Sequence, residues 1–377
     1  MLSKNETNPN VRENKMDVAG MYRVRLVFIA ALLMPLLALD GCGYNAKSQN
    51  ILAEKSMEKL TSSLRTQCVG RYLIDLPDGA TVSSTVKING IQVTAKAMSE
   101  KRYKYSLDER AKELKHTKSR YKYFYADGNP DIKNGRYFIF LGTVENDCNR
   151  VIEAYKWERG YQIKVSIEGT DWTQSVMKDD PAVKAGIQTD VEPKKMMAFA
   201  LLKILQPRMD SEIPTEPGFC FPGGFFPGGA TSTEKMMAGL NIPGHDDVYL
   251  SLETDPQQRE TESLLQRSGQ INRAMALVAH AKTLRAGKVR LKNLDAEEWI
   301  YRQPSRVDAF VDTFQLEANM TIGSAATPAL TLLFSVGWPP NSNYIDPDKF
   351  VASLDEDESL VLWDAISRTL RPRPKGF

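Results

Sequence analysis

The spacing of apolar and polar positions divides this chain into segments of different kinds. From Leu26 to Leu39 the chain is almost continuously apolar, with Arg23 and Arg25 before it and Asp40-Gly41-Cys42 closing it. This is the layout of a secretory signal of the lipoprotein type, and the run is too short to span a bilayer comfortably. Asp40 stands where a small neutral residue is usual. Processing would remove residues 1–41 and leave Cys42 as the acylated N-terminus. The mixed charges before Met21 are unlike a signal's basic start, so translation beginning at Met16 or Met21 fits the pattern as well as Met1. Gly43 rather than an aspartate follows the cysteine, which points to an outer-membrane anchor facing the periplasm.

Residues 42–66 read as a tether with a short helix from Lys55 to Arg65. The stretch Cys68 to Leu76 then reads as a strand ending in a Pro77-Asp78-Gly79 turn, followed by strands over 81–88 and 91–97. Ser106 and Glu109 are spaced as a capping box, and Leu107, Ala111 and Leu114 recur at helical intervals, which predicts a helix from Leu107 to Lys118. Strands are predicted over 137–144, 151–157 and 162–167, and an apolar helix from Lys194 to Leu205 stops at Pro207.

Residues 209–217, with Pro214 and Pro217, read as a linker, after which the plan repeats. A strand is predicted over 248–252, a helix from Thr261 to Leu284, strands over 289–291, 298–301, 314–320 and 330–336, and a closing helix from Ser359 to Leu370. Cys68 and Cys220 hold matching places, 220 minus 68 or 152 residues apart; Leu205-Gln206-Pro207-Arg208 and Leu370-Arg371-Pro372-Arg373 match at 370 minus 205, or 165. The fold class expected is α+β. Two tandem similar domains, 67–208 and 218–377, each carry a mostly antiparallel sheet with helices packed on one face.

A net charge of +2, from 49 basic and 47 acidic residues, gives no electrostatic case for a nucleic-acid partner. Basic residues do gather between Lys101 and Lys122, interleaved with Tyr103, Tyr105, Tyr121 and Tyr123; the plainest reading is the solvated face of a helix and its flanks. Beyond Cys42 the cysteines are Cys68, Cys148 and Cys220, which in an oxidising compartment suggests one disulfide and one thiol. The preferred pairing is Cys68 with Cys148, with Cys220 the alternative partner.

Chemistry is sparse. His116, His245 and His280 are the only histidines, and none stands in a recognisable catalytic setting, although His245-Asp246-Asp247 could present a ligand and carboxylates on a loop. There is no Gly-x-Ser-x-Gly elbow, zinc helix or paired-cysteine motif. Residues 223–229 are glycine-rich but lack the lysine of a phosphate loop, so a turn beside buried phenylalanines is the better account. Asp355-Glu356-Asp357-Glu358 suits the start of the last helix. No catalytic residue, metal site or cofactor is expected.

The lipoprotein signal, the opening Cys68-Val69-Gly70-Arg71-Tyr72-Leu73-Ile74-Asp75-Leu76-Pro77 and the second opening Gly218-Phe219-Cys220-Phe221-Pro222-Gly223-Gly224-Phe225 together resemble the two-domain immunity proteins that accompany type VI secretion phospholipase effectors. Ala296-Glu297-Glu298-Trp299 is similar to a Gly-Glu-Glu pattern of the second domain, with Ala296 in place of the glycine. The resemblance implies a non-enzymatic periplasmic inhibitor, tethered to the membrane by its lipid anchor, whose protein partner is a cognate phospholipase effector. It also implies a two-domain grip on the effector's lid or active-site entrance, with each repeat alone binding more weakly. It carries over no partner-contact residues. An envelope lipoprotein scaffold or ligand-binding module fits the anchor and the duplication equally well, and the neighbouring gene discriminates the two.

Overall fold

The computed structural model describes residues 57–143, 145–186, 189–275, 277–304, 310–337 and 351–377; the signal and Cys42 lie outside them. Two tight turns show how the sequence sets strand order. Asn89-Gly90 joins β3 (Thr81–Ile88) to β4 (Ile91–Ala97), and Arg159-Gly160 joins β7 (Asn146–Glu158) to β8 (Tyr161–Thr170). All four turn residues have positive φ, from 46° to 85°, as a two-residue hairpin turn requires.

The first repeat opens with β1 (Leu64–Val69) and β2 (Tyr72–Pro77) and runs on through β3, β4, α1 (Glu100–His116), β5 (Phe124–Gly128), β6 (Gly135–Thr143), β7 and β8. After a short α2 (Pro181–Gly186) it closes with α3 (Val191–Ile204) and β9 (Gln206–Pro207). The second repeat follows the same order. It comprises β10 (Gly218–Phe221), β11 (Gly224–Pro227), β12 (Glu234–Asn241), β13 (Val248–Asp255), α4 (Leu264–Met275), β14 (Lys282–Leu291), β15 (Leu294–Pro304), β16 (Phe310–Ala318), β17 (Ala329–Val336), α5 (Glu356–Ser367) and β18 (Arg371–Pro372).

The repeats do not form separate sheets. One twelve-stranded antiparallel sheet runs β14-β15-β16-β17-β13-β12-β3-β4-β8-β7-β6-β5, crossing from one repeat to the other where β12 pairs with β3. Thr85 lies opposite Met237 in that pairing, and 237 minus 85 is 152, the separation of Cys68 and Cys220. Ser84 pairs with Ala238 and Val86 with Met236, as a two-fold relation about that point demands. The ends are exchanged in the same sense. β18, closing the second repeat, pairs with β2 of the first, and β9, closing the first, pairs with β11 of the second.

Helices cover both faces, which corrects the expectation of one. Glu153 and Tyr155 of β7 face α1, where Arg110 pairs with Glu153 and Tyr155 joins Tyr103, Leu107 and Leu114 in one cluster. Ala154 faces the other way, into the core that holds Ala198 and Leu202 of α3. That core spans both repeats, uniting Ile74, Val86 and Leu202 with Leu252, Phe314 and Trp363.

Several boundaries move for physical reasons. Ser99, not Ser106, accepts the capping bond at the start of α1, from the Arg102 amide at 3.3 Å; Ser106 lies a turn inside the helix and bonds the Tyr103 carbonyl. The helix expected from Thr261 to Leu284 stops at Met275, and residues 282–291 are a strand. His280 therefore sits in a turn with φ 67°, not on a helix face. Asp355 and Glu358 make a reciprocal capping box, so the acidic run does start the last helix.

The disulfide joins Cys68 to Cys220, with Cα atoms 5.8 Å apart, and Cys148 is free and buried. The preferred pairing with Cys148 is therefore corrected. Main-chain bonds in both directions between Gly70 and Cys220, at 2.9 and 2.8 Å, bring the two openings together, whereas Cys148 begins β7 far along the first repeat. Replacing both Cys68 and Cys220 by alanine should lower unfolding free energy by about 2–5 kcal/mol, read from urea unfolding. Peptide mapping without reduction should recover a Cys68–Cys220 link; a link to Cys148 would contradict this topology.

Candidate functional site

Three buried arginines stitch the exchanged ends. Arg71, from the first opening, forks onto Glu234 of β12 through Nε at 2.6 Å and Nη2 at 2.8 Å, with both side chains 3% exposed. Its remaining donors reach the carbonyls of Gly228, Gly229 and Gly376. Arg208 follows β9 and donates to the carbonyls of Met209, Asp210, Glu212, Phe221 and Gly224; Arg373 follows β18 and donates to those of Pro214, Glu216 and Gly218. Burial pushes both guanidinium groups below their ordinary pKa, and for Arg373 the neighbouring Arg71 adds to it. Residues 209–217 are thus held at many carbonyls and do not form a loose linker. The duplicated Pro-Arg pairs are the source of this arrangement.

The opening motifs are structural in the same way. Gly70 has φ 61°, and a Cβ there would meet Met236 at 3.0 Å, so the bend between the first two strands needs glycine. At Gly224 a Cβ would strike the Phe221 ring at 2.2 Å, so this turn packs on phenylalanine. Glu298, from Ala296-Glu297-Glu298-Trp299, is 2% exposed and accepts from Trp363 Nε1 at 2.6 Å, Arg285 at 2.7 Å and Arg368 at 2.8 Å, which fixes α5 to the sheet. Glu297 accepts the Leu265 amide at 2.9 Å at the start of α4.

The histidines have ordinary surroundings. His116 bonds the Lys112 carbonyl at the end of α1. His245 Nδ1 lies 2.8 Å from Ser353 Oγ, but Asp247 accepts the Ser353 amide and does not orient the imidazole, so no triad is assembled. Among the described residues no group of three or more His, Cys, Asp and Glu side chains is arranged to hold a metal ion. The basic residues of α1 are largely paired within the helix or with its neighbours, Lys104 with Glu100, Lys112 with Glu109 and Lys115 with Asp127.

A cleft of about 1030 Å³ lies mainly in the second repeat. The β14–β15 turn, the connection from β16 to β17 and the C-terminal residues bound it; Tyr72, Leu294, Met320 and Phe377 supply apolar surface, and Lys288 and Arg290 lie along one rim. Tyr72 meets Phe377 edge-on at 5.4 Å, so the wall combines the first opening with the chain's end. No sequence signal marked this cleft, because its walls come from five separate segments.

Glu317 borders the cleft and bonds Arg267 of α4 and Gln315. Burial raises its carboxyl above the usual range. In the first repeat a second buried glutamate, Glu153 of β7, pairs with Arg110 of α1. Burial would raise Glu153 too, but Lys164 at 2.6 Å, Tyr155 at 2.7 Å and Arg110 together hold it below the usual range. Each repeat thus sets a buried glutamate against an arginine of a helix.

The two carboxyls have opposite linkage. The contribution of Glu153 is present above the ordinary carboxylate range and is lost as pH falls through its depressed value. Glu317 instead opposes folding while ionised, and the penalty is relieved as pH falls through its raised value. Glu153→Gln should therefore destabilise near neutral pH, with a deficit that shrinks on acidification. Glu317→Gln should match or exceed the parent near neutrality and lose any advantage in acid. Urea midpoints across the acid range check both, and equal deficits would contradict the assignment.

Comparison with known proteins gives a consistent result. Residues 65–208 match the family model described as Tle cognate immunity protein 4 N-terminal domain, and residues 212–375 match the model of its C-terminal domain. Among solved structures, the chain is similar to one described as the Tle4-Tli4 complex, at 22% identity and TM-score 0.63, over 84% of this chain and 99% of that one. It is also similar to the apo immunity protein TplEi of the type VI secretion system from Pseudomonas aeruginosa, at 22% identity and TM-score 0.62, over 85% and 100%. The same protein complexed with an "L" peptide matches at 21% identity and TM-score 0.61, over 83% and 99%. No curated protein matches the chain.

Proposed function

This chain belongs to the Tle cognate immunity protein 4 family, a two-domain class of type VI secretion immunity proteins, and from that premise we propose that it inhibits a phospholipase effector by binding it in the periplasm. The observation that carries this reading is the presence of both domains in order, fused through one sheet and closed by exchanged end strands. Such a body offers surfaces of two repeats at fixed separation. It can hold a protruding lid or active-site entrance from two sides without first ordering a hinge, which reduces the conformational cost of association. Preference for the closed effector then draws its population away from the active state. The solved relatives, described as a complex and as a peptide-bound form, support a protein segment as the thing held.

In this reading Cys42 carries the lipid that keeps the inhibitor at the outer membrane, where a delivered lipase would meet its substrate. Cys42→Ser should abolish incorporation of labelled fatty acid; undiminished label would remove the anchor.

The function itself is tested with the product of the neighbouring gene, which this reading expects to be a phospholipase. The soluble chain from Lys55 onward should co-purify with it and abolish its phospholipase activity at a one-to-one ratio without turnover. A lipase that remains fully active in excess of this protein would overturn the proposal.

A further inference from the structure

The twelve-stranded sheet ends on two unlike edges. β5 has five residues, shifts register between Phe124 and Ala126, and has its Asp127 held by Arg136 and Lys115. β14 has ten residues, and its irregularity between Thr283 and Arg285 leaves residues 286–291 in regular register with β15. The near end of β14 is tied inward, Lys282 to Glu356, Thr283 to Asn272, and Arg285 to Glu298 and Asp364. Those ties stop short of Ala286.

Lys292-Asn293 makes a two-residue turn, with Asn293 at φ 60°, closing on the pair Leu291 and Leu294. The closing pair of such a hairpin is hydrogen-bonded, so alternation directs the N–H and C=O of Arg290, Lys288 and Ala286 away from β15. All three residues are exposed. Arg290 has Asp295 at 3.4 Å, but the two side chains are 90% and 85% exposed, a pair that contributes little. Lys288 lies opposite Glu297, whose carboxylate is engaged at the Leu265 amide, and it has no ion pair among the described residues. Lys288 and Arg290 share one face of the strand and both border the cleft.

We propose that residues 286–290 of β14 accept an extended acidic segment of the effector as an added strand, with carboxylates at alternate positions meeting Lys288 and Arg290. This rests on the immunity reading above and names where the partner docks. Main-chain bonds to the outward groups supply affinity, and the two cations supply register and sign. The same cations repel the β14 edge of a second copy, which keeps the edge from self-pairing while it remains open to an acidic strand.

The test uses the soluble chain from Lys55 and the phospholipase expected as the product of the neighbouring gene. Hydrogen exchange on the complex should show protection of the Ala286, Lys288 and Arg290 amides. Lys288→Pro removes one outward donor and no ladder bond, and should weaken binding about tenfold or more. The paired Lys288→Glu and Arg290→Glu change keeps the backbone intact and should weaken it at least as much, with a flatter salt dependence. Binding by the parent with unprotected β14 amides, or with unchanged affinity in the charge-reversed variant, overturns this docking site and leaves the immunity reading standing. Absence of binding by the parent overturns both.

Discussion

The pairing of β3 with β12 is the constraint on which the rest of the structure depends. It makes one sheet of two repeats, and its antiparallel register around Thr85 and Met237 sets the two-fold relation between them. Once that register is fixed, each opening hairpin lies where the other repeat's final residues arrive, so β18 completes β1 and β2 while β9 completes β10 and β11. The Cys68–Cys220 disulfide and the Arg71–Glu234 fork then bridge the same junction. A buried fork of this kind adds specificity more surely than stability, since desolvation offsets much of its attraction, whereas removing one partner leaves a charge stranded at a cost of about 3–5 kcal/mol.

This junction alters how the two domains act. Two units on a Pro-containing linker would grip by closing about it. Here Arg208 and Arg373 bond six carbonyls of residues 209–218, and the sheet runs through, so separation and orientation are built in before a partner arrives. A half expressed alone would lack a neighbouring strand along β3 or β12 and the final strand of its opening sheet. Weak binding by such a half would therefore report lost folding as much as lost contacts.

Where each segment decides its own conformation, the sequence was legible. The alternation in β3, β4, β7 and β8, the turn glycines and the acidic start of α5 were readable, as was the spacing of the cysteines and Pro-Arg pairs that betrayed duplication. What depended on distant partners was not. Nothing local distinguishes Cys148 from Cys220 as a partner for Cys68. Gln206-Pro207 and Arg371-Pro372 are strands only because another chain segment lies beside them. β12 carries Met, Ala and Gly where strand formers are usual, and the helical spacing of Leu264, Ile271 and Val278 masked the turn and strand that follow Met275. Glu298 was noticed as a motif residue, but its partners on β14, α5 and the residue after α5 lie up to 70 positions away, at Arg285, Trp363 and Arg368. The cleft drew no signal because its walls come from separate segments, one of them in the other repeat.

A structure of this protein bound to its proposed phospholipase effector tests the central claim most directly. A two-repeat body that holds its partner as a preformed unit predicts contacts from both repeats on the effector, with the β3–β12 pairing unchanged and the two repeats superposing together on the free protein. Contacts from one repeat only, or a rotation of one repeat against the other about residues 209–217, would contradict it.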